Sequence, residues 1–157
     1  MELVQLSEQQ KANVLRVMFE NFEEIKTLQS PLELHAVASN WNWDDGCKIL
    51  EWIIRNPACD KGTALLLYWH ACPKWLYQYT DRDEVPEWSR TDYDFVKELE
   101  GRYLSGFYKQ TEIAFNPSND EGTNWLEEYA EVKVTQRIPD QMKKAISGIT
   151  IDRSFAS

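Results

Sequence analysis

The stretch NWNWDDGCKILEWIIRNPACDKGTALLLYW, residues 40–69, decides the fold prediction for this chain. It contains four of the seven tryptophans, so we expect the centre of the hydrophobic core here. Apolar side chains on several sides of residues 47–55 predict a buried helix, which Pro57 ends because a residue before proline disfavours the helical conformation. Asp60 predicts the cap of the next helix. Residues 64–69, ALLLYW, are apolar all round, and leucine and alanine favour helix over strand, so this is the expected central helix.

Two further helices are predicted before this stretch. Ser7 and Gln10 match a capping box, in which each side chain bonds the backbone amide of the other residue. Apolar positions at spacings of three and four then predict one buried face from Val14 to Leu28. Pro31 fits the first position of a second helix that runs to about Asn40, because the missing proline amide would have no partner there.

The chain after the central stretch is less regular in pattern. We predict a long acidic loop at residues 81–90 and a helix at residues 92–104. A short helix is expected after Asn124, and a last helix from Pro139, ended by a glycine. Residues 150–157 are predicted to be a loosely held tail.

The predicted fold class is all-α, with one helical domain over residues 1–157. A chain of 157 residues is long enough for one well-buried core. Six to seven helices with short connections predict antiparallel helical pairs. The N-terminus lacks the features of a signal peptide and no apolar run spans a bilayer, so we predict a cytoplasmic location without membrane insertion. Three cysteines, an odd number, predict free thiols in a reducing compartment.

Charge is the most informative total. The formal net charge is −9, and residues 81–131 carry 14 acids and 5 bases, which amounts to −9 within that segment. Residues 132–157 carry 2 acids and 5 bases, or +3. Direct nucleic-acid binding is disfavoured, since phosphate neutralisation needs a basic surface. An acidic segment that contains aromatic residues would instead attract a basic protein.

Trp88 lies in this acidic segment between Glu87 and Ser89. An exposed aromatic residue surrounded by acids is typical of a protein-binding hot spot. The alternative is that Trp88 folds back onto the core and the acids form a solvated face. The predicted partner-binding residues are Asp81, Asp83, Glu84, Glu87, Trp88, Asp92 and Asp94.

Residues 31–73 contain Pro57 and four motifs: Leu34-His35-Ala36, Asn42-Trp43-Asp44-Asp45-Gly46, Trp52-Ile53-Ile54 and Cys59-Asp60-Lys61-Gly62-Thr63-Ala64-Leu65-Leu66-Leu67-Tyr68-Trp69. As a set, these residues resemble a small bacterial family, the domain of unknown function four-two-seven-four. The resemblance implies a helical, cytoplasmic module of bacteria and assigns no catalytic residue.

Metal binding has two candidate residue sets. Asp44, Asp45 and Asp60 have the oxygen ligands that hard cations prefer, but each is placed where a helix cap belongs, and the cap is the favoured interpretation. A zinc site would have to draw on three cysteines and two histidines, yet no Cys-x-x-Cys or His-x-x-x-His pair is present. Those residues are Cys47, Cys59, Cys72, His35 and His70. We therefore predict no metal and no cofactor.

The favoured function is a binding protein without catalytic activity. Its most concrete form is an immunity protein that neutralises a basic, nuclease-type bacterial toxin by occluding the active site. The alternative is an enzyme, with hydrolysis as the candidate reaction, that uses Asp44, Asp45 or His70 in a cleft between helices. A Cys-His nucleophile pair is possible only if the fold brings the two together. A regulatory adaptor is the third hypothesis, and the oligomeric state is left open.

Overall fold

The computed structural model describes residues 3–153 and confirms the all-α fold. Within this range, the two strands are only two residues long: β1 (Leu3–Val4) pairs in parallel with β2 (Thr150–Ile151). Short 3-10 helices cover Phe22–Thr27, Trp43–Asp45, Arg82–Glu84, Glu87–Ser89 and Asp140–Lys143. The α-helices are α1 (Glu8–Phe19), α2 (Pro31–Asn40), α3 (Lys48–Arg55), α4 (Lys61–His70), α5 (Pro73–Leu76) and α6 (Arg90–Leu104).

Helix α4 is the central helix, as predicted. Its residues 62–69 are all buried, and it packs against α2 on one side and α6 on the other. The Asp60 side chain caps it by accepting a hydrogen bond from the Gly62 amide at 2.8 Å. A Cβ at Gly62 would lie 2.0 Å from the Ile113 carbonyl oxygen, so only glycine lets the chain approach so closely there. The segment at residues 110–115 therefore packs directly on the start of α4.

The first predicted helix is divided into two parts. The Ser7 and Gln10 capping box begins α1, but the helix ends at Phe19 and a 3-10 helix follows. The side chain of Asn21 accepts from the Glu23 amide and so caps the start of this second segment. Because the helical periodicity breaks at this point, Phe22 is half exposed and does not join the core, which corrects the single buried face predicted over residues 14–28.

The joint between α2 and α3 also differs from the prediction. Asp44 and Asp45 do not cap α3, because both lie within a 3-10 helix that Asn42 caps. Cys47 stands at the start of α3 and provides no side-chain cap. Trp52, predicted to fill the core, is 41% exposed, because α3 turns that side of the helix to solvent.

The C-terminal region contains less helix than expected. No α-helix follows Asn124 within the described residues, where the chain forms a series of turns. Pro139 precedes only the short 3-10 helix Asp140–Lys143. A longer helix cannot form, because the backbone of Ile146 exchanges both amide hydrogen bonds with that of Phe115.

The predicted loose tail is wrong for residues 150–153. Ile151 pairs with β1 and is buried, and Arg153 forms an ion pair with Asp120 at 2.8 Å. Residues 154–157 lie outside the described part of the chain. No helix within residues 3–153 is long and apolar enough to cross a membrane.

Candidate functional site

The predicted partner-binding residues all fall in residues 81–94, which we call the acidic segment. It contains six acids and two bases, a net charge of −4. The prediction of a long irregular loop is only partly right, because two 3-10 helices, Arg82–Glu84 and Glu87–Ser89, occupy most of it. The first turns of α6 complete the segment.

The acidic segment is held in place by its own side chains. Val85 is 1% exposed and anchors the middle of the segment in the core. Arg90 donates from Nε to the Val85 carbonyl and from a terminal nitrogen to the Asp83 carbonyl, both at 3.0 Å. Arg82 makes two parallel hydrogen bonds to Asp94, at 2.8 and 3.0 Å. These contacts order the acidic segment on the surface of the described chain.

The acids of this segment fall into two groups. Asp83 and Glu87 are exposed, and within residues 3–153 neither side chain forms a hydrogen bond or an ion pair. The remaining four have structural contacts. The Asp81 carboxylate accepts from the Glu84 amide, the Glu84 carboxylate accepts from the Thr80 amide, Asp94 pairs with Arg82, and Asp92 is partly buried beside Cys47.

Trp88 is the most exposed large hydrophobic residue in the described chain. Its side chain is 85% exposed on the 3-10 helix Glu87–Ser89. Of the two alternatives considered for Trp88, the structure therefore supports an exposed side chain and not one that folds back onto the core. Tyr93 and Tyr108, two other aromatic residues within residues 81–131, are buried and so do not extend this exposed surface.

Other acids in residues 81–131 have internal functions. Glu98 pairs with Arg55 and with Arg102, at 2.7 and 3.0 Å. The Glu100 carboxylate accepts hydrogen bonds from the hydroxyls of Tyr68 and Tyr77, both at 2.8 Å. The large negative total of this region therefore overstates the acidic surface, and the acidic segment is its best-defined exposed part.

A polar cluster at the end of α4 was missed by sequence reasoning. Asp120 is 7% exposed, and its Oδ2 accepts from His70 Nε2 at 2.7 Å and from Trp125 Nε1 at 3.0 Å, while Oδ1 accepts from Arg153 at 2.8 Å. The donors around it hold the pKa of Asp120 well below its usual value, although burial opposes them. No sequence signal marks the cluster, because its members are up to 83 residues apart, from position 70 to position 153.

The residues considered for metal binding do not converge within the described chain. Asp44 and Asp45 are exposed, whereas Asp60 is fully buried. Besides capping α4, Asp60 accepts from the amides of Glu112 and Ile113 at 2.8 and 3.2 Å. Both of its oxygens are thus used to hold the 110–115 segment. Within residues 3–153, no group of three His, Cys, Asp or Glu side chains is placed to hold an ion.

The cysteines are free thiols with raised pKa values. Burial, followed by the charge of Asp92, raises the pKa of Cys47 to about 12. Burial also raises the pKa values of Cys59 and Cys72. A raised pKa disfavours the thiolate, which is the nucleophilic form. His35 is buried, with its Nδ1 2.8 Å from the Thr63 hydroxyl.

The match to a known family covers the part of the chain that holds the acidic segment. Residues 29–104 match the family model Domain of unknown function (DUF4274). This confirms the resemblance predicted from residues 31–73 and extends it to the end of α6. No curated protein and no solved structure matches the chain. The DUF4274 region includes Trp88 and His70, whereas Asp120 and Arg153 lie beyond it. DUF4274 is a domain of unknown function, so the match assigns no activity.

Proposed function

We propose that this chain is a cytoplasmic protein-binding domain that engages a basic partner through the acidic segment, most concretely as an immunity protein against a nuclease-type bacterial toxin. The observation that carries the proposal is the 85% exposure of Trp88 on a short helix within that segment. Transfer of the apolar surface of a large indole from water into an apolar contact is favourable, so burying Trp88 against a partner contributes about 2 kcal/mol or more.

Order in the free state supports the same conclusion. The Arg90 bonds to two backbone carbonyls and the paired Arg82 and Asp94 fix the segment without a partner. Binding then costs little conformational entropy, because the segment that presents Trp88 has its shape in advance.

Charge indicates the kind of partner. Asp83 and Glu87 are exposed, and within residues 3–153 the carboxylate of neither forms an ion pair, so both are available to a cationic surface of the partner. Nuclease active sites present basic clefts that bind phosphates, and carboxylates can take the place of those phosphates. Steering between opposite charges mainly raises the rate of association. Burial of the Trp88 side chain in the complex would mainly slow dissociation.

An enzymatic function has weaker support. Of the residues considered for catalysis, His70 lies beside a surface cavity of about 460 Å³, but Asp45 lines a different cavity. The Asp120 oxygens next to His70 already accept from His70, Trp125 and Arg153. We therefore interpret this cluster as a structural connection between α4 and the C-terminal segment.

The test begins with the partner and then measures its kinetics. The tagged chain is used to capture partners from its source cells at low salt and at about 0.5 M salt, where the Debye length falls to a few ångströms. A stoichiometric basic protein is then expressed with and without this chain, and growth is measured. Stopped-flow fluorescence with the purified pair gives the association and dissociation rates.

Three variants separate the two contributions. Asp83→Lys with Glu87→Lys should slow association, by roughly tenfold at low salt, because these acids have no structural contacts to lose. Trp88→Ala should speed dissociation by roughly thirtyfold, which corresponds to about 2 kcal/mol. Glu20→Lys with Glu131→Lys makes the same charge change at exposed sites outside the acidic segment and serves as the control. Equal rates for Trp88→Ala and the wild-type chain would refute the proposed surface.

A further inference from the structure

A cavity of about 430 Å³ opens between the end of α4 and the C-terminal region. Its apolar lining includes Trp69, Leu126, Val134 and Ile138. Trp69 and Ile138 are 1% and 5% exposed, so they belong to the core. The Trp69 indole nitrogen donates to the Met142 carbonyl at 2.8 Å, which fixes the ring in place. The volume falls within the usual range of small-molecule sites.

The charged residues that line the cavity are all cations. They are Lys74, Arg137 and Lys143. Arg137 is paired with Asp140 at 2.9 Å, but within residues 3–153 neither Lys74 nor Lys143 forms an ion pair. Three convergent cations are notable in a chain with a net charge of −9.

Lys74 is fixed by neutral groups. Its ammonium donates to the carbonyls of Leu126 and Glu128, the latter at 3.0 Å, so two of its three N–H groups are used and its charge is not neutralised. Partial burial, followed by the charge of Lys143, lowers the pKa of Lys74, and the acids Glu128 and Glu127 offset this only in part. An anion placed between Lys74 and Lys143 would relieve their repulsion.

We propose that this cavity binds a small amphipathic anion, a molecule with one carboxylate on an apolar body. The carboxylate would lie between Lys74 and Lys143, and the apolar body would pack against Trp69 and Ile138. The combination of an apolar wall and a few convergent polar groups is typical of ligand sites. The site is separate from the acidic segment, so the two proposals stand or fall independently.

The test uses octanoate as the probe, with octanol and octylammonium as controls that share its alkyl chain. Isothermal titration calorimetry on the full chain at pH 7 should show octanoate binding at least about tenfold more tightly than either control, because only the carboxylate pairs with the lysines. Tryptophan fluorescence should change with the same midpoint, since Trp69 lines the cavity. Equal affinity for octanoate and octanol would overturn the proposed anion site.

Two neighbouring lysines provide matched variants. Lys143→Glu should weaken octanoate binding at least about tenfold, because a positive charge that attracts the octanoate carboxylate is replaced by a negative charge that repels it. Lys144→Glu makes the same change one residue on, at an exposed position that does not line the cavity, and should leave the affinity within about twofold. Circular dichroism confirms that both variants fold. If both variants lose affinity equally, the effect depends only on net charge and the proposed site is refuted. Absence of octanoate binding to the wild-type chain would also refute it.

Discussion

The buried histidine His35 should make the stability of this domain depend on pH. Its side chain is 1% exposed and lies 2.8 Å from the Thr63 hydroxyl. Burial, followed by the nearby charges of Arg153 and His70, lowers the pKa of His35 to about 3 in the folded chain. The imidazole is therefore neutral in the native state over the whole physiological range.

The sign follows from comparison with the unfolded chain, where a histidine has a pKa of about 6.5. Below that pH the unfolded chain binds a proton that folded His35 does not bind, so the free energy of unfolding falls as the solution becomes more acidic. The change is about 1.4 kcal/mol per pH unit below that pKa, so acidification from pH 7 to pH 5 should lower the free energy of unfolding by about 2 kcal/mol through His35 alone. This is a large fraction of a typical domain stability of about 5–15 kcal/mol.

Urea unfolding followed by tryptophan fluorescence at pH 7, 6 and 5 measures this effect. His35→Asn should lower the stability at pH 7 and remove about 2 kcal/mol of the pH dependence, because asparagine does not titrate. Thr63→Val is the control, since it removes the hydroxyl partner but retains the buried imidazole, so the pH dependence should remain. All other titratable side chains are the same in the three proteins, so the difference in slope reports on the substituted position. If His35→Asn retains the full slope of the wild-type chain, the reasoning is wrong.

Further predictions concern the core of the fold and need only stability or labelling measurements. Asp60→Ala should lower the free energy of unfolding, measured in urea, by about 4 kcal/mol, since it removes a helix cap and leaves two more amides without an acceptor. The control Ser30→Ala removes only a helix cap and should lower the free energy of unfolding by about 1 kcal/mol. Gly148→Ala should destabilise the chain, because a Cβ would lie 2.2 Å from the Glu112 carbonyl oxygen. Gly101→Ala should raise the free energy of unfolding by about 0.5–1 kcal/mol, because Gly101 lies within helix α6 and a Cβ there would meet open space. Under native conditions, iodoacetamide should leave the buried Cys59 unlabelled, as judged by peptide mass spectrometry.

The predictions that succeeded depended on contacts between near neighbours in the chain. Ser7 and Asp60 each cap a helix through an amide three or two residues later, and such bonds are visible in the order of residues. The all-α fold and the central position of α4 followed from these signals together with apolar patterning. The loosely held tail failed for the opposite reason, since Thr150 and Ile151 are ordered by β1 at the other end of the chain.

The candidate surface was predicted in part. Composition located the acidic segment and Trp88, but it could not tell whether the indole was exposed. The structure decided this, because Val85 takes the buried position and Trp88 points outward. Composition also overcounted the acidic surface, since Glu98 and Glu100 serve internal hydrogen bonds.

The amino-acid sequence by itself determined most of the α-helices, the caps at Ser7 and Asp60 and the uneven distribution of charge, because each depends on residues within a few positions of one another. Only the tertiary structure brought His70, Asp120 and Arg153 together, buried His35 beside Thr63 and placed Lys74 near Lys143. Such contacts join distant parts of the chain, and no local pattern specifies them. Their electrostatic effects also depend on desolvation, which is a property of the packed molecule and not of the sequence order.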